Sequence, residues 1–221
     1  MSRMVFVILI SLILAIGVAL GDQSHGAAEP PPGHHPPVGG VPEGHASTGS
    51  DPQGHPQTIE RPRADVAEPP PAEVSDVESI DAIITAYYDS LSGAKGVERD
   101  WDRLRSLFQP LASLVAARPA GEGHTGIWVM KLDEFIAFNK QYFERGGYFE
   151  GEVARRVETF GNIAQVWSTY ESRRFENGDP YSRGIYSIQL LKDGPRWWIV
   201  NVYWDYERPD SPIPEQYLES P

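Results

Sequence analysis

A chain of 221 residues with a formal net charge of −12 and no cysteine has room for one mid-sized domain plus accessory segments. It excludes disulfide cross-links, thiolate catalysis, thiolate zinc sites and a lipidated cysteine. From Ser75 onward 23 acids stand against 16 bases, and no run of Lys and Arg with interleaved aromatics occurs, so phosphate backbones would be repelled and nucleic acid is not an expected partner.

The first element is apolar. Arg3 precedes an apolar run from Met4 to Leu20, interrupted only by Ser11 and closed by Ala19-Leu20-Gly21 and Asp22. A basic start, an apolar stretch and a small-x-small site are the parts of an export signal. The run is also at the lower limit for spanning a bilayer, so an uncleaved anchor stays open beside a cleaved leader. Either reading places the rest of the chain outside the cytoplasm, in the periplasm or secreted. Residues 1–21 are therefore expected to be a signal peptide or N-terminal anchor.

Residues 22–74 follow as a spacer. Of the 20 prolines, 12 fall between Pro30 and Pro71, in tracts that can form neither helix nor ladder. Such a segment buries too little surface to offset its ordering entropy, and a disordered linker is expected. His25, His35, His45 and His55 recur every ten residues, with His34 beside them. Imidazoles on an extended chain can take up Zn²⁺ or Cu²⁺ weakly, but no ligand set is preorganised, and no metal site or cofactor is assigned.

Aromatic residues then take over, all six tryptophans lying at or beyond Trp101. Val77, Ile80, Ile84, Tyr87 and Leu91 share helical spacing, with Ser75 as the expected cap, Glu78 completing a capping box, and Ser92-Gly93 as the stop. Trp101, Leu104, Leu107 and Phe108 predict a short second helix closed by Pro110. Residues 112–118 read as a short strand and Gly121 to His124 as a loop. Leu132, Phe135, Ile136, Tyr142 and Phe143 predict a third helix, with Asp133 and Glu134 on its N-terminal dipole and Gly146-Gly147 ending it.

Four strands follow. Gly161-Asn162 is a two-residue hairpin turn between residues 150–160 and 163–174. A loop through Asn177-Gly178-Asp179-Pro180 leads to 183–191, and Asp193-Gly194-Pro195 turns back into 197–206. If Leu191 lies opposite Trp197, one face carries Tyr186, Ile188, Leu190, Trp198, Val200, Val202 and Trp204, all apolar and so placed under the helices. That face holds no carboxylate. The same register sets Arg183 opposite Asp205 as a cross-strand ion pair. Glu158 and Glu171 share the outer face with Gln165 and Trp167, as solvated groups, whereas Arg155, Ser168 and Tyr170 share the inner one. An arginine among apolar residues needs an anion or an acceptor, either a ligand carboxylate or the protein itself. Helices first and long antiparallel strands after make an α+β domain over residues 75–210, with residues 211–221 as an extended tail.

Three stretches carry a resemblance. They are Ile80-x-x-x-Ile84-x-x-Tyr87-Tyr88, then Phe160-Gly161-Asn162-Ile163-Ala164-Gln165-Val166-Trp167, and finally Arg183-Gly184 through Asp193-Gly194 to Arg196-Trp197-Trp198-Ile199-Val200. In this order they resemble the nuclear transport factor 2-like superfamily, near its SnoaL-like and DUF4440-like members, over about residues 76–207. The resemblance implies a cone: a strongly bent antiparallel sheet wrapped around N-terminal helices, with a pocket at its open end and pairing into homodimers. It implies no single function, because the superfamily holds isomerases, dehydratases, cyclases, epoxide hydrolases and noncatalytic binders.

Candidate pocket residues are Tyr87, Tyr88, Trp101, His124, Tyr142, Arg155, Tyr170, Tyr186 and Trp204. A helix tyrosine can serve the cavity or simply fill the core. His124, the domain's one histidine, can gate a pocket mouth or act as a base from its loop. No nucleophile-elbow, zinc-protease, phosphate-loop or dinucleotide motif occurs. Three readings remain. One is an exported module that binds a small apolar ligand or a partner protein without catalysis. Another is a small lyase, isomerase or hydrolase working through Tyr88, His124 or an unrecognised acid, which a buried carboxylate of raised pKa would favour. The last is a structural domain on a stalk.

Overall fold

The computed structural model describes residues 67–121 and 123–219. The leader or anchor and the spacer histidines lie outside the described residues. No helix among the described residues is long and apolar enough to cross a membrane.

The chain runs α1 (Val74–Val77), α2 (Ile80–Leu91), α3 (Trp101–Leu107), β1 (Phe108–Gly121), β2 (His124–Lys131), α4 (Leu132–Gly146), β3 (Phe149–Phe160), β4 (Ile163–Arg173), β5 (Ser182–Asp193) and β6 (Arg196–Tyr206). The strands form one sheet in the order β2-β1-β6-β5-β4-β3, antiparallel throughout except where β1 runs parallel to β6. The α+β class and the curled sheet around N-terminal helices are as expected: α2 packs against both β3 and β6, and α4 against β1 and β2.

The opening helix breaks where a single one is expected. Ser79, not Ser75, is the cap of α2, its hydroxyl accepting from the Ala82 N–H at 3.0 Å. Ser75 lies inside α1, whose Asp76 takes a two-pronged bond from Arg103 of α3 at 2.7 and 2.9 Å. That guanidinium holds the Asp76 carboxyl below its usual pKa. Replacing Ser79 with alanine leaves one N–H of the first turn unpaired, and a loss of about 1 kcal/mol in urea unfolding is the expected result.

The short strand expected at 112–118 is the middle of a longer one, and Pro110 lies within that strand rather than closing α3. Pro110 falls where pairing with β6 is interrupted, between Phe108 and Ser113, so its missing N–H costs no ladder bond. Gly121 pairs with His124, where β2 begins. The tail is not wholly extended: Glu215–Tyr217 forms a 3₁₀ turn against β3 and β4, and Thr169 and Arg156 donate to the Tyr217 and Gln216 carbonyls.

The largest departure is register. Ile188 faces Val202 and Tyr186 faces Trp204, but beyond an irregularity at Gln189/Leu190 it is Leu190 and Leu191 that face Ile199 and Trp198. The extra residue, Val200, reverses the alternation of β6. Trp197 and Ile199 are therefore buried with Val202 and Trp204, whereas Val200 is exposed and Trp198 half-buried. Asp205 faces Ile185 and binds Arg208 instead of Arg183, whose nearest acids are Glu171 at 3.5 Å and Glu207 at 3.7 Å. Glu171, expected to be solvated, is largely covered between Arg183 and Arg173. Glu158 is exposed as expected.

Candidate functional site

A tyrosine cluster fills the concave side of the sheet. Tyr87 and Tyr88 reach it from α2, Tyr170 from β4, Tyr186 from β5 and Trp204 from β6, and all are buried. Tyr186 is the hub, with ring centroids 4.4 Å from Tyr170, 5.7 Å from Tyr87, 6.0 Å from Trp204 and 6.1 Å from Tyr88. Five of the nine pocket candidates thus come together.

The group at the centre of this cluster is Glu150, on β3, 6 % exposed. Tyr186 donates to its Oε2 at 2.9 Å, and Ser172 donates to its Oε1 at 3.0 Å, as does Tyr148. Its backbone is fixed as well, because the Glu150 N–H donates to Ser92 Oγ at 3.0 Å at the end of α2. Two effects oppose each other at the carboxyl. Burial disfavours the anion, whereas the hydroxyls of Tyr148, Tyr186 and Ser172 favour it; burial dominates and the pKa rises to about 7. The burial that acts on Glu150 also raises the pKa of Tyr148 and Tyr186, each with the carboxylate as the next cause. Below neutral pH the site therefore holds a carboxylic acid among phenols.

This carboxylate overturns the expectation of an interior without acids. Read from the Gly161-Asn162 turn, strict alternation puts Val153 opposite Tyr170 and Gly151 opposite Ser172. The structure carries an irregularity between Glu152 and Ala154. It sets Val153 apart, so that Glu152 meets Tyr170 and Glu150 meets Ser172. One extra residue moves two acids from the outer face to the inner one.

A second polar chain runs from the cluster to the surface. Tyr88 and Ser168 share a hydrogen bond of 2.7 Å, Ser168 donates to Glu152, Arg155 Nε binds Glu152 at 2.9 Å, and an Arg155 terminal nitrogen binds Asp81 at 2.6 Å. Of the two roles open to Arg155, the protein itself supplies the acceptors.

The remaining candidates stand apart. Trp101 is buried behind the site, its ring 6.4 Å from Phe143, which stacks at 4.1 Å on Tyr148. It supports the site without entering the tyrosine cluster. Tyr142 is exposed and accepts from Arg174, whose guanidinium also covers Tyr181 at 4.7 Å. His124 is exposed at the start of β2 and joins no cluster.

No protein-family model matches the chain, and no curated protein does. Solved structures do resemble it. An NTF-2 like protein from Silicibacter pomeroyi is 20 % identical, covering 58 % of this chain and 92 % of its own, with a TM-score of 0.41. A cystatin-like fold protein from Nostoc punctiforme is 12 % identical over 59 % and 90 %, with a TM-score of 0.45. A ketosteroid isomerase candidate from Parabacteroides distasonis is 14 % identical over 60 % and 91 %, with a TM-score of 0.41. These are likenesses of fold at low identity.

Proposed function

We propose that the domain takes a small, largely apolar molecule into its tyrosine-lined interior and meets the polar end of that molecule with Glu150. The observation that carries this reading is a fully enclosed carboxyl, with three hydroxyl donors around it and a pKa near 7. A core needs no such group. An apolar side chain of similar volume would hold the fold at least as well, without the cost of burying a charge. A buried acid poised near neutral pH, faced by phenols, is the arrangement that recognition or proton exchange uses.

The same observation supports a second reading, a lyase or isomerase in which Glu150 moves a proton and Tyr186 steadies developing charge. The reading also includes delivery outside the cytoplasm, supported by Arg3 and the apolar run from Met4 to Leu20. It includes pairing of two copies, supported by the exposed Trp167, Val200 and Tyr203 on the convex face.

Native mass spectrometry of the full chain tests the first claim and reports pairing directly. An adduct that is released on denaturation and is lost in Glu150→Leu is the expected outcome. Bare protein that is folded, or an adduct that the variant keeps unchanged, would overturn the reading. Turnover of the released molecule by the native chain and not by Glu150→Gln would decide for the enzyme.

A further inference from the structure

One transverse row of the sheet carries hydrogen-bond donors that no described residue accepts. β1 runs beside β6 with Ala116 next to Trp204, so that two residues further along each strand Arg118 lies next to Tyr206. Tyr206 is paired with Gly184, and Gly184 with Tyr170. These positions alternate in step with the buried Ala116, Trp204, Tyr186 and Ser168, so they belong to the concave face.

The Arg118 guanidinium lies 4.5 Å from the centre of the Trp128 ring. Its Nε is buried and has no hydrogen-bond partner, and it forms no ion pair with a described residue. Burial lowers its pKa, and Tyr206 is the neighbour that offsets this. The Tyr206 hydroxyl accepts from Trp204 Nε1 at 3.1 Å, which leaves its own proton without an acceptor among the described residues. The Tyr170 hydroxyl lies over Gly184, where an added Cβ would stand 2.5 Å from it, and it too has no hydrogen-bond partner among them. Gly184 thus lets the Tyr170 ring lie directly against the β5 backbone, beside the strand that carries Tyr206.

A guanidinium has five N–H donors and does not shed its charge in proteins. Elsewhere this acidic chain matches Arg103 with Asp76, Arg105 with Asp133, and Arg155 with Glu152. At Arg118 the acceptor has to come from outside. Two phenol protons beside a guanidinium suit a planar group with two acceptor oxygens.

We propose that Arg118, Tyr206 and Tyr170 receive the carboxylate of a small organic acid whose apolar body lies against Trp204 and Tyr186. This rests on the interior binding proposed above and names the class of its ligand, an organic acid whose end opposite the carboxylate is the one that Glu150 meets.

The test isolates the head group. Nitrogen-15 NMR follows the arginine Nε–H and tryptophan Nε1–H signals of the full chain as sodium acetate is added, against sodium chloride at equal ionic strength. Arg118 is expected to shift to saturation with acetate and not with chloride, and the Trp204 indole to follow it through Tyr206. Tyr206→Phe is expected to weaken acetate binding about threefold. Arg118→Met, read at Trp204, should abolish it. A linear Arg118 shift matching that of the exposed Arg145, or saturation unchanged in both variants, would overturn the site. An adduct in native mass spectrometry without acetate saturation would keep the interior reading and remove the anionic head group. Saturation without any adduct would do the reverse.

Discussion

Replacing Arg99 with methionine is expected to cost the domain about 3 kcal/mol or more, and replacing it with lysine nearly as much. Arg99 is 4 % exposed and bonds to no carboxylate. Its guanidinium instead spans backbone carbonyls. Nε donates to Leu91 at 3.0 Å, and the terminal nitrogens donate to Gly93 at 2.6 Å and to Ala94 and Phe143 at 3.3 Å, with Val97 and Tyr148 also in reach. Leu91 ends α2 and Phe143 lies in the last turns of α4, where carbonyls lack helical partners and the helix dipole is negative. Methionine would leave these acceptors buried and unpaired. Lysine keeps the charge, but its three donors radiate from one atom and cannot reach carbonyls spread around a planar fork.

The same residue positions the site. Gly93 and Tyr148 exchange backbone bonds of 2.7 and 3.0 Å beside the guanidinium, and a Cβ at Gly93 would come within 2.8 Å of its carbon. Two residues on from Tyr148 is Glu150. Urea unfolding of Arg99→Met and Arg99→Lys gives the energies. A loss below about 1 kcal/mol in both would show that water replaces the guanidinium freely.

Element types were legible in this chain wherever pattern and punctuation agreed. The stripe from Ile80 to Leu91, the Gly161-Asn162 turn and the Gly147 stop, at φ +70°, each combine a period with a residue that the backbone needs there. Faces were legible only up to the nearest bulge. Alternation counted from a turn is a running parity, and one unpaired residue inverts everything past it. Val153 did this on β3 and hid Glu150; on β6 the turn pairs Leu191 with Trp198 and not with Trp197, which misplaced Trp198, and Val200 adds a second residue before the strand reaches the partner of Arg183. Neither valine is a residue type that marks a bulge in sequence, as a glycine would. Tyr87, Tyr88, Tyr170 and Tyr186 were found because they precede or avoid the bulges. Arg99 gave no signal, since an arginine bonded to carbonyls looks in sequence like any surface base.

The domain should lose stability as pH rises from about 4.5 to about 7, and Glu150→Gln should abolish that part of the loss. In the unfolded chain the carboxyl ionises near its ordinary value of 4.5, whereas in the fold it does so at about 7. Below 4.5 both states hold the proton and the group is neutral in its effect. Between the two values the unfolded chain gives up its proton and the folded one keeps it. The folded state then binds more protons, and raising the pH favours unfolding. Above about 7 both are ionised and the deficit is constant, at about 3 kcal/mol. Glutamine resembles the protonated form at every pH, so its stability relative to the native chain should improve by that amount between pH 4.5 and pH 8. Urea midpoints of the two proteins across this range measure the difference and cancel the titration of every other group. A difference that stays flat would mean that Tyr148, Tyr186 and Ser172 stabilise the anion enough to offset its burial. Glu150 would then be a fixed charge, suited to holding a cationic or hydroxyl-bearing ligand and not to exchanging a proton with one. A difference that bends near pH 7 would mean that both forms coexist at neutral pH, the condition that proton exchange with a bound molecule requires.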